Sequence, residues 1–148
     1  MKLWLLAPVF IAFDQITKYV ARAELFENTI PLFSDVRLQL AFNKGFAFSL
    51  PAPQLILIII ALAVSGFLFY WSSKKERSVY EKWAAVLLAS GAIGNAIDRV
   101  FFGQVTDFFA FWSFPIFNVA DILVTFGVVV LLWGEITNWR PVSKKTQK

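Results

Sequence analysis

The stretch LILIIIALAVSGFLFYW occupies residues 55–71 and contains no charged side chain. A helix needs about 20 mostly apolar residues to cross the hydrocarbon core of a bilayer. With its flanking residues, this stretch predicts a membrane-spanning helix at 54–72. Other apolar stretches predict further spans at about 3–22, 83–102 and 116–134. The span at 3–22 is the weakest, because it contains charged side chains in its second half.

The composition favours a membrane protein over a soluble one. Of the 148 residues, 58% are hydrophobic and 16% are charged, whereas a soluble domain carries about 25% charged residues. The chain contains no Cys and no His. Disulfides, Ser-His-Asp triads and the usual zinc sites are therefore excluded. We predict a single domain at 1–148, an all-α membrane protein with four transmembrane helices, and neither a cofactor nor a metal.

The N-terminal segment has a second interpretation. Lys2, the apolar stretch after it and the tripeptide ARA at 21–23 are also typical of a secretory signal peptide with its cleavage site. Asp14, Lys18 and Arg22 would then lie close before the cut, and charges there argue against this interpretation.

Basic residues are unevenly distributed between the predicted connections. Most of them would lie on one side of the bilayer, including those at 74–82 and 140–148, and the more basic side of a membrane protein is cytoplasmic. We therefore expect both termini in the cytoplasm, with 140–148 as a disordered tail, and the connection at 23–53 outside. Residues 30–43 are rich in β-branched and aromatic side chains. They predict a short sheet or hairpin that lies on the membrane surface.

In this topology the polar residues of the spans fall at one depth, in the outer half of the bilayer. Asp14 lies about 17 Å along the first helix. The others lie near the outer ends of spans or in outer connections: Asn43, Asn95, Asp98, Arg99, Asp107, Asn118 and Asp121. Charged groups in lipid are costly, so we expect these groups to face one another. Gly91 and Gly94 would let another backbone or a ligand approach closely.

Several charged residues also have structural interpretations. Asp98 and Arg99 could form an ion pair at a helix end or anchor the helix at the membrane interface. Asp107 alone could be an ordinary loop residue. Asp14 and Lys18 have the i, i+4 spacing of a helical ion pair, which favours a structural role for them.

Asn118 and Asp121 differ in how well a structural role explains them. Asn118 could simply cap the fourth helix. Asp121 is predicted about one and a half turns inside that helix, with no basic residue within four positions. An unpaired carboxylate at such a place favours a functional role.

Functions of different classes fit these residues. Two carboxylates that share one proton can activate water without His or Cys, one as the base and the other as the acid. Intramembrane Asp and Arg also fit a small ion or proton transporter, although the polar groups do not continue to the inner side. Lys44 with Ser49 is the best pair for a serine/lysine protease, but both lie in the outer connection.

Five short motifs together resemble the lipoprotein signal peptidases, also called signal peptidase II. They are DQITK at 14–18, NKGFAFS at 43–49, GAIGNAIDR at 91–99, GQVTDF at 103–108 and FNVAD at 117–121. Each motif alone is weak, but their order and spacing cover nearly the whole chain and are specific together. The resemblance also argues against a cleaved signal peptide at the N-terminus. One departure is Ile122, where members of this family usually have Ser.

The resemblance implies an aspartic endopeptidase of the bacterial cytoplasmic membrane that removes signal peptides from prolipoproteins. Cleavage would occur before the diacylglyceryl-modified cysteine, and Asp107 and Asp121 would be the catalytic dyad. By the same pattern, the substrate-binding residues would be Asn43, Asn95, Arg99 and Asn118, and the supporting residues Asp14, Lys18, Gly45, Gly91 and Asp98. The expected partners are the lipidated prolipoprotein and membrane lipid, with no nucleic acid. The protein would be a monomer with its active site near the outer face, and a target of the cyclic peptide globomycin.

Overall fold

The helical membrane fold predicted from hydropathy is confirmed. The computed structural model describes residues 2–45 and 53–138, so the predicted tail at 140–148 lies outside the described residues. Its elements are a 3₁₀ helix, Lys2–Leu6, followed by α1, Ala7–Glu24; β1, Thr29–Phe33; β2, Val36–Asn43; α2, Gln54–Ser72; α3, Val79–Phe102; β3, Val105–Phe111; and α4, Val119–Asn138. Four of the described helical segments are long and apolar enough to cross a membrane.

α3 begins at Val79, before the predicted start at residue 83. The reason is a capping box formed by Ser78 and Glu81. The Ser78 side chain accepts a hydrogen bond from the Glu81 backbone N at 3.2 Å, and the Glu81 carboxylate accepts one from the Ser78 backbone N at 2.6 Å. α3 ends at Gly103, whose φ of 67° is the left-handed conformation that glycine adopts without strain.

α4 begins at Val119, after the predicted start at residue 116. Phe117 is held against β3, because its backbone N donates to the Phe109 carbonyl at 3.1 Å and its carbonyl accepts from the Phe109 backbone N at 2.8 Å. The helix therefore cannot start until after Asn118. Asp121 consequently lies in the first turn of α4, and its predicted place one and a half turns inside the helix is wrong.

The β structure is an antiparallel sheet in the order β1-β2-β3. β1 and β2 form the hairpin that was predicted between the first two spans. β3 comes from the connection between α3 and α4, for which no strand was predicted. It pairs with β2 so that Asp107 lies opposite Ala41. The sheet therefore lies at the end of the bundle where α1 and α3 end and α4 begins.

α3 packs against the other three helices through small side chains. The buried ones include Ala84, Ala85, Ala89, Ser90, Gly91 and Gly94. A Cβ on Gly91 would overlap the carbonyl oxygen of Ala120 in α4, and a Cβ on Gly94 would lie 2.5 Å from the Asp14 carboxylate in α1. Both close approaches expected at these glycines are therefore present, and they bring polar groups of α1, α3 and α4 together.

Candidate active site

Asn118 forms hydrogen bonds with both carboxylates of the predicted dyad. Asp107 lies in β3 and Asp121 in the first turn of α4. The side-chain amide of Asn118 donates to Asp107 Oδ1 at 2.6 Å, and the Asn118 backbone N donates to Asp121 Oδ2 at 3.1 Å. The sheet and the fourth helix thus bring both carboxylates to a single residue.

Asn118 is also the N-cap of α4. Its Oδ1 accepts a hydrogen bond from the Asp121 backbone N at 3.0 Å, and the Asp121 carboxylate accepts one from the Asn118 backbone N in return. This reciprocal pattern is that of a capping box. The capping expected of Asn118 is therefore observed, but it is only part of the role of this residue, because the same side chain contacts Asp107.

Asn95 of α3 connects this pair of carboxylates to α1. Its Nδ2 donates to Asp121 Oδ1 at 3.0 Å. Its Oδ1 accepts hydrogen bonds from Lys18 Nζ at 2.8 Å and from Asn118 Nδ2 at 3.2 Å. Both ends of the Asn95 amide are therefore engaged by protein groups.

A buried cluster of charged side chains lies behind Asn95. Lys18, Asp14 and Asp98 are fully buried. Lys18 Nζ lies 2.9 Å from Asp14 Oδ2 and 3.9 Å from Asp98 Oδ2, and Arg22 Nη1 lies 3.5 Å from Asp98 Oδ1. Two carboxylates and two cations make the cluster formally neutral, and paired charges are the form in which burial is tolerated.

Asp14 and Asp98 each hold the backbone beside one member of the dyad. Asp14 Oδ1 accepts a hydrogen bond at 2.8 Å from the backbone N of Ala120, the residue before Asp121. Asp98 Oδ2 accepts one at 2.8 Å from the backbone N of residue 106, directly before Asp107. The buried cluster therefore positions both catalytic candidates through the main chain.

The ion pair considered for Asp98 and Arg99 is not made, although both residues are described. Asp98 faces α1, whereas Arg99 Nη2 donates to the Gly45 carbonyl at 2.9 Å, at the end of β2. Asn43 Oδ1 accepts a hydrogen bond from the Gly45 backbone N at 2.9 Å. Arg99, Asn43 and Gly45 thus form one edge of the site, while Asp98 supports it from the opposite side.

Arg22 and Thr106 belong to this arrangement but were not among the predicted site residues. Arg22 Nη1 donates to Thr106 Oγ1 at 2.7 Å. A sequence signal for Arg22 did exist, because Asp14, Lys18 and Arg22 follow one another at helical spacing on one face of α1. Thr106 had no comparable signal, since its contact depends on the unpredicted strand β3.

The two carboxylates open onto a groove of about 720 Å³. Its polar wall is formed by Asn43, Asn95, Arg99, Asp107 and Asp121. The remaining walls are largely apolar and include residues of α2, α3, α4 and the segment before α4: Leu57, Ile60, Ala61, Val64, Ala92, Phe114, Pro115, Ile116, Phe117 and Val124. Asn118 is fully buried and lies behind the groove.

Burial raises the pKa of Asp107 from its ordinary value of 3.8 to about 7, and the neighbouring Asp121 carboxylate acts in the same direction. The hydrogen bond from Asn118 and the charge of Lys18 oppose this rise. Asp107 is only 4% exposed. Its carboxyl group can therefore keep a proton near neutral pH, as a general acid requires.

The described residues do not provide a metal site. Within 2–45 and 53–138, no group of three or more Asp or Glu side chains is placed to hold an ion.

The serine/lysine interpretation involves Lys44 and Ser49. Lys44 is exposed, and Ser49 lies outside the described residues.

Comparisons with known proteins match this chain to one family. A family model described as "Signal peptidase (SPase) II" matches residues 6–137. Proteins named lipoprotein signal peptidase from Brucella ovis, Brucella canis and Brucella suis are each 37% identical to this chain over 139 residues, which cover 88% of it and 86% of each relative.

Solved structures agree with this match. A bacterial membrane enzyme structure obtained by the in meso method at 2.3 Å resolution aligns with a TM-score of 0.84 and 29% identity, covering 97% of this chain and 93% of that one. A second such structure, at 1.9 Å resolution, aligns with a TM-score of 0.81 and 29% identity, covering 91% and 92%. The family match includes α1, so this helix is part of the shared membrane fold.

Proposed function

The chain belongs to the signal peptidase II family, and on this premise we propose that it is an aspartic endopeptidase. Its substrates are lipidated prolipoproteins, which it cuts before the diacylglyceryl-modified cysteine. The observation that supports this proposal most directly is the pairing of Asp107 and Asp121 through Asn118 beside the groove. Because the chain has neither His nor Cys, a pair of carboxylates is the natural means of activating water.

Asp121 is the general base and Asp107 the general acid in this proposal. Asp121 accepts hydrogen bonds from Asn95 Nδ2 and from the Asn118 backbone N, and it lies in the first turn of α4. Donors and a helix N-terminus both favour a negative charge. The pKa of Asp107 is raised to about 7, mainly by burial. Asp107 is therefore the carboxyl group that holds the shared proton.

The reaction proceeds through a tetrahedral intermediate. Asp121 takes a proton from water as the water oxygen attacks the scissile carbonyl carbon, while Asp107 gives its proton to the carbonyl oxygen. The carbon–nitrogen bond then breaks, with Asp121 returning its proton to the leaving nitrogen. Asp107 recovers a proton from a hydroxyl of the intermediate, so both carboxyl groups end in their starting state.

The groove can hold an extended substrate with apolar side chains. Arg99 Nε is buried and has no hydrogen-bond partner among the described residues, so a substrate carbonyl group could satisfy it. Asn43 lies beside it at the end of β2. Asn95 and Asn118 direct their amides to the carboxylates, and we therefore assign them to positioning the dyad rather than to binding substrate.

We place the sheet end of the bundle at the outer face of the bacterial cytoplasmic membrane, with both termini inside. The basic residues 74, 75, 77 and 82 lie at the opposite end of the helices, and basic connections remain in the cytoplasm. A site at the outer membrane surface suits a lipidated substrate, because its acyl chains stay in the bilayer and restrict its orientation. The monomeric state and binding of globomycin remain predictions.

Cleavage of a lipidated prolipoprotein by the purified protein tests this proposal, with the same peptide lacking its diacylglyceryl group as the control. Asp107→Asn and Asp121→Asn should each remove nearly all turnover. The double mutant should be little worse, because both groups act in one transition state. Asp35→Asn is the matched control, since Asp35 is exposed in the β1–β2 turn, and it should retain full turnover.

Substantial turnover by either folded dyad variant would contradict the assignment. Proton flux through liposomes that contain the protein would instead support the transporter interpretation. Asp14, Lys18, Arg22 and Asp98 pair with one another in a formally neutral cluster. Such pairing is expected of a structural support for the site rather than of an ion path.

A further inference from the structure

We propose that Lys18 is a positioning residue for the cleavage reaction: its ammonium group fixes the orientation of the Asn95 amide and, through it, the Asp121 carboxylate. This inference rests on the proposed function, in which Asp121 is the base. Lys18 is fully buried in α1. Its polar contacts among the described residues are Asp14, Asp98 and Asn95.

The orientation of the Asn95 amide follows from its neighbours. An ammonium group has only donors, so the atom of Asn95 that lies 2.8 Å from Lys18 Nζ must be the oxygen. Asn118 Nδ2 reaches the same oxygen at 3.2 Å. The NH₂ group of Asn95 is consequently turned toward Asp121 Oδ1, to which it donates at 3.0 Å.

A rotation of the Asn95 amide by half a turn would make each of these contacts unfavourable. Its NH₂ group would then face the donors of Lys18 and Asn118, and its oxygen would face the Asp121 carboxylate. Hydrogen bonds that involve a charged group are roughly twice as strong as neutral ones. Lys18 therefore contributes more than Asn118 to keeping the NH₂ group on the base.

Lys18 also neutralises the charge of the buried carboxylates Asp14 and Asp98. The experiment must separate this structural role from the positioning role. Arg22 is the matched control for that purpose. It lies one turn further along α1, pairs with Asp98 at 3.5 Å and donates to Thr106. Its described contacts do not include Asn95. Loss of Arg22 should therefore resemble loss of Lys18 in stability but not in its coupling to Asn95.

The test is a pair of double-mutant cycles on the full-length protein, with kcat and KM measured on the lipidated peptide at equal folded concentration. Lys18→Met should lower kcat by roughly 10- to 100-fold with little change in KM, as expected for loss of a hydrogen bond to a charged group. In an Asn95→Ala background it should lower kcat by no more than roughly two- to threefold. Arg22→Met should change kcat by the same factor in both backgrounds.

Thermal unfolding supplies the readout for the structural role. Lys18→Met should lower the melting temperature in both backgrounds, because Asp14 and Asp98 lose a cation in each. If Lys18→Met does not accumulate as folded protein, the cycle is run with Lys18→Met combined with Asp14→Asn, which removes the cation together with one carboxylate. The expected coupling to Asn95 is unchanged.

The measurements distinguish failure of the positioning role from failure of the proposed protease function. Effects of Lys18→Met and Asn95→Ala that multiply in full would overturn the positioning role while leaving the proposed protease intact. Wild-type protein that does not cleave the lipidated peptide would instead refute the proposed function itself.

Discussion

The rate of cleavage is expected to fall as the pH rises through the pKa of Asp107. Burial and the charge of Asp121 raise this pKa to about 7, against the opposing effects of Asn118 and Lys18. In the proposed mechanism, the protonated form of Asp107 is the acid that polarises the scissile carbonyl. Activity should therefore be retained below this pKa and lost above it.

The size of the effect follows from a single ionisation. With a pKa of about 7, Asp107 is protonated in about half of the molecules at pH 7, in about a tenth at pH 8 and in about a hundredth at pH 9. With its ordinary pKa of 3.8, roughly one molecule in 1,500 would hold the proton at pH 7. An alkaline decline in activity near neutral pH is therefore expected from the buried position of Asp107 in β3.

The assay is kcat/KM for the lipidated peptide between about pH 5 and pH 9, since this ratio reports ionisations of the free enzyme. Asp35→Asn, at an exposed carboxylate, should have the wild-type profile. Lys18→Met should move the decline to higher pH, because Lys18 holds the pKa of Asp107 down. A constant kcat/KM over this range, with the enzyme folded throughout, would refute the assignment of Asp107 as the acid.

Three further changes test the packing, the buried cluster and the topology. Gly91→Ala should destabilise the fold by roughly 1–3 kcal/mol, because its Cβ would overlap a carbonyl oxygen of α4. A Cβ at Gly66 would have nothing within 4 Å, so Gly66→Ala should leave the melting temperature unchanged. Equal melting temperatures for the two variants would contradict the packing argument. Asp98→Asn should lower stability by roughly 1–3 kcal/mol, because Arg22 loses its carboxylate partner and Lys18 keeps only Asp14. The folded fraction should keep most of its kcat, and an inactive but fully stable variant would show a catalytic role instead. Reporter fusions at Lys75 and Asp35 should behave as cytoplasmic and external respectively, and the reverse result would overturn the proposed orientation.

The spans could be predicted because lipid imposes one simple condition on them. A helix in the bilayer satisfies its backbone internally and presents apolar side chains, so its sequence is a long apolar run. α2 therefore has the predicted bounds. The starts of α3 and α4 were predicted less well, because contacts that hydropathy does not report set where each helix begins. The Ser78 cap moves the start of α3 earlier. The pairing of Phe117 with β3 moves the start of α4 later, so that Asn118 becomes its cap.

The strand β3 could not be recognised from local pattern. Its first four side chains are all buried, so it lacks the alternation that marks a half-exposed strand. It is stabilised by pairing with β2, which lies far away in the sequence. The strand that carries Asp107 therefore becomes visible only when its partner is in place.

By itself, the sequence determined the four apolar spans and the absence of His and Cys, and its motifs showed the resemblance from which Asp107 and Asp121 are proposed as the dyad. Only the tertiary structure decided which polar groups meet. Asn95 contacts Asp121, Asn118 and Lys18, and these contacts require α1, α3 and α4 to approach closely at small residues. A hydrogen bond forms only at about 3 Å and in one direction, so the role of each polar side chain is set by packing between distant segments and not by its neighbours in the chain.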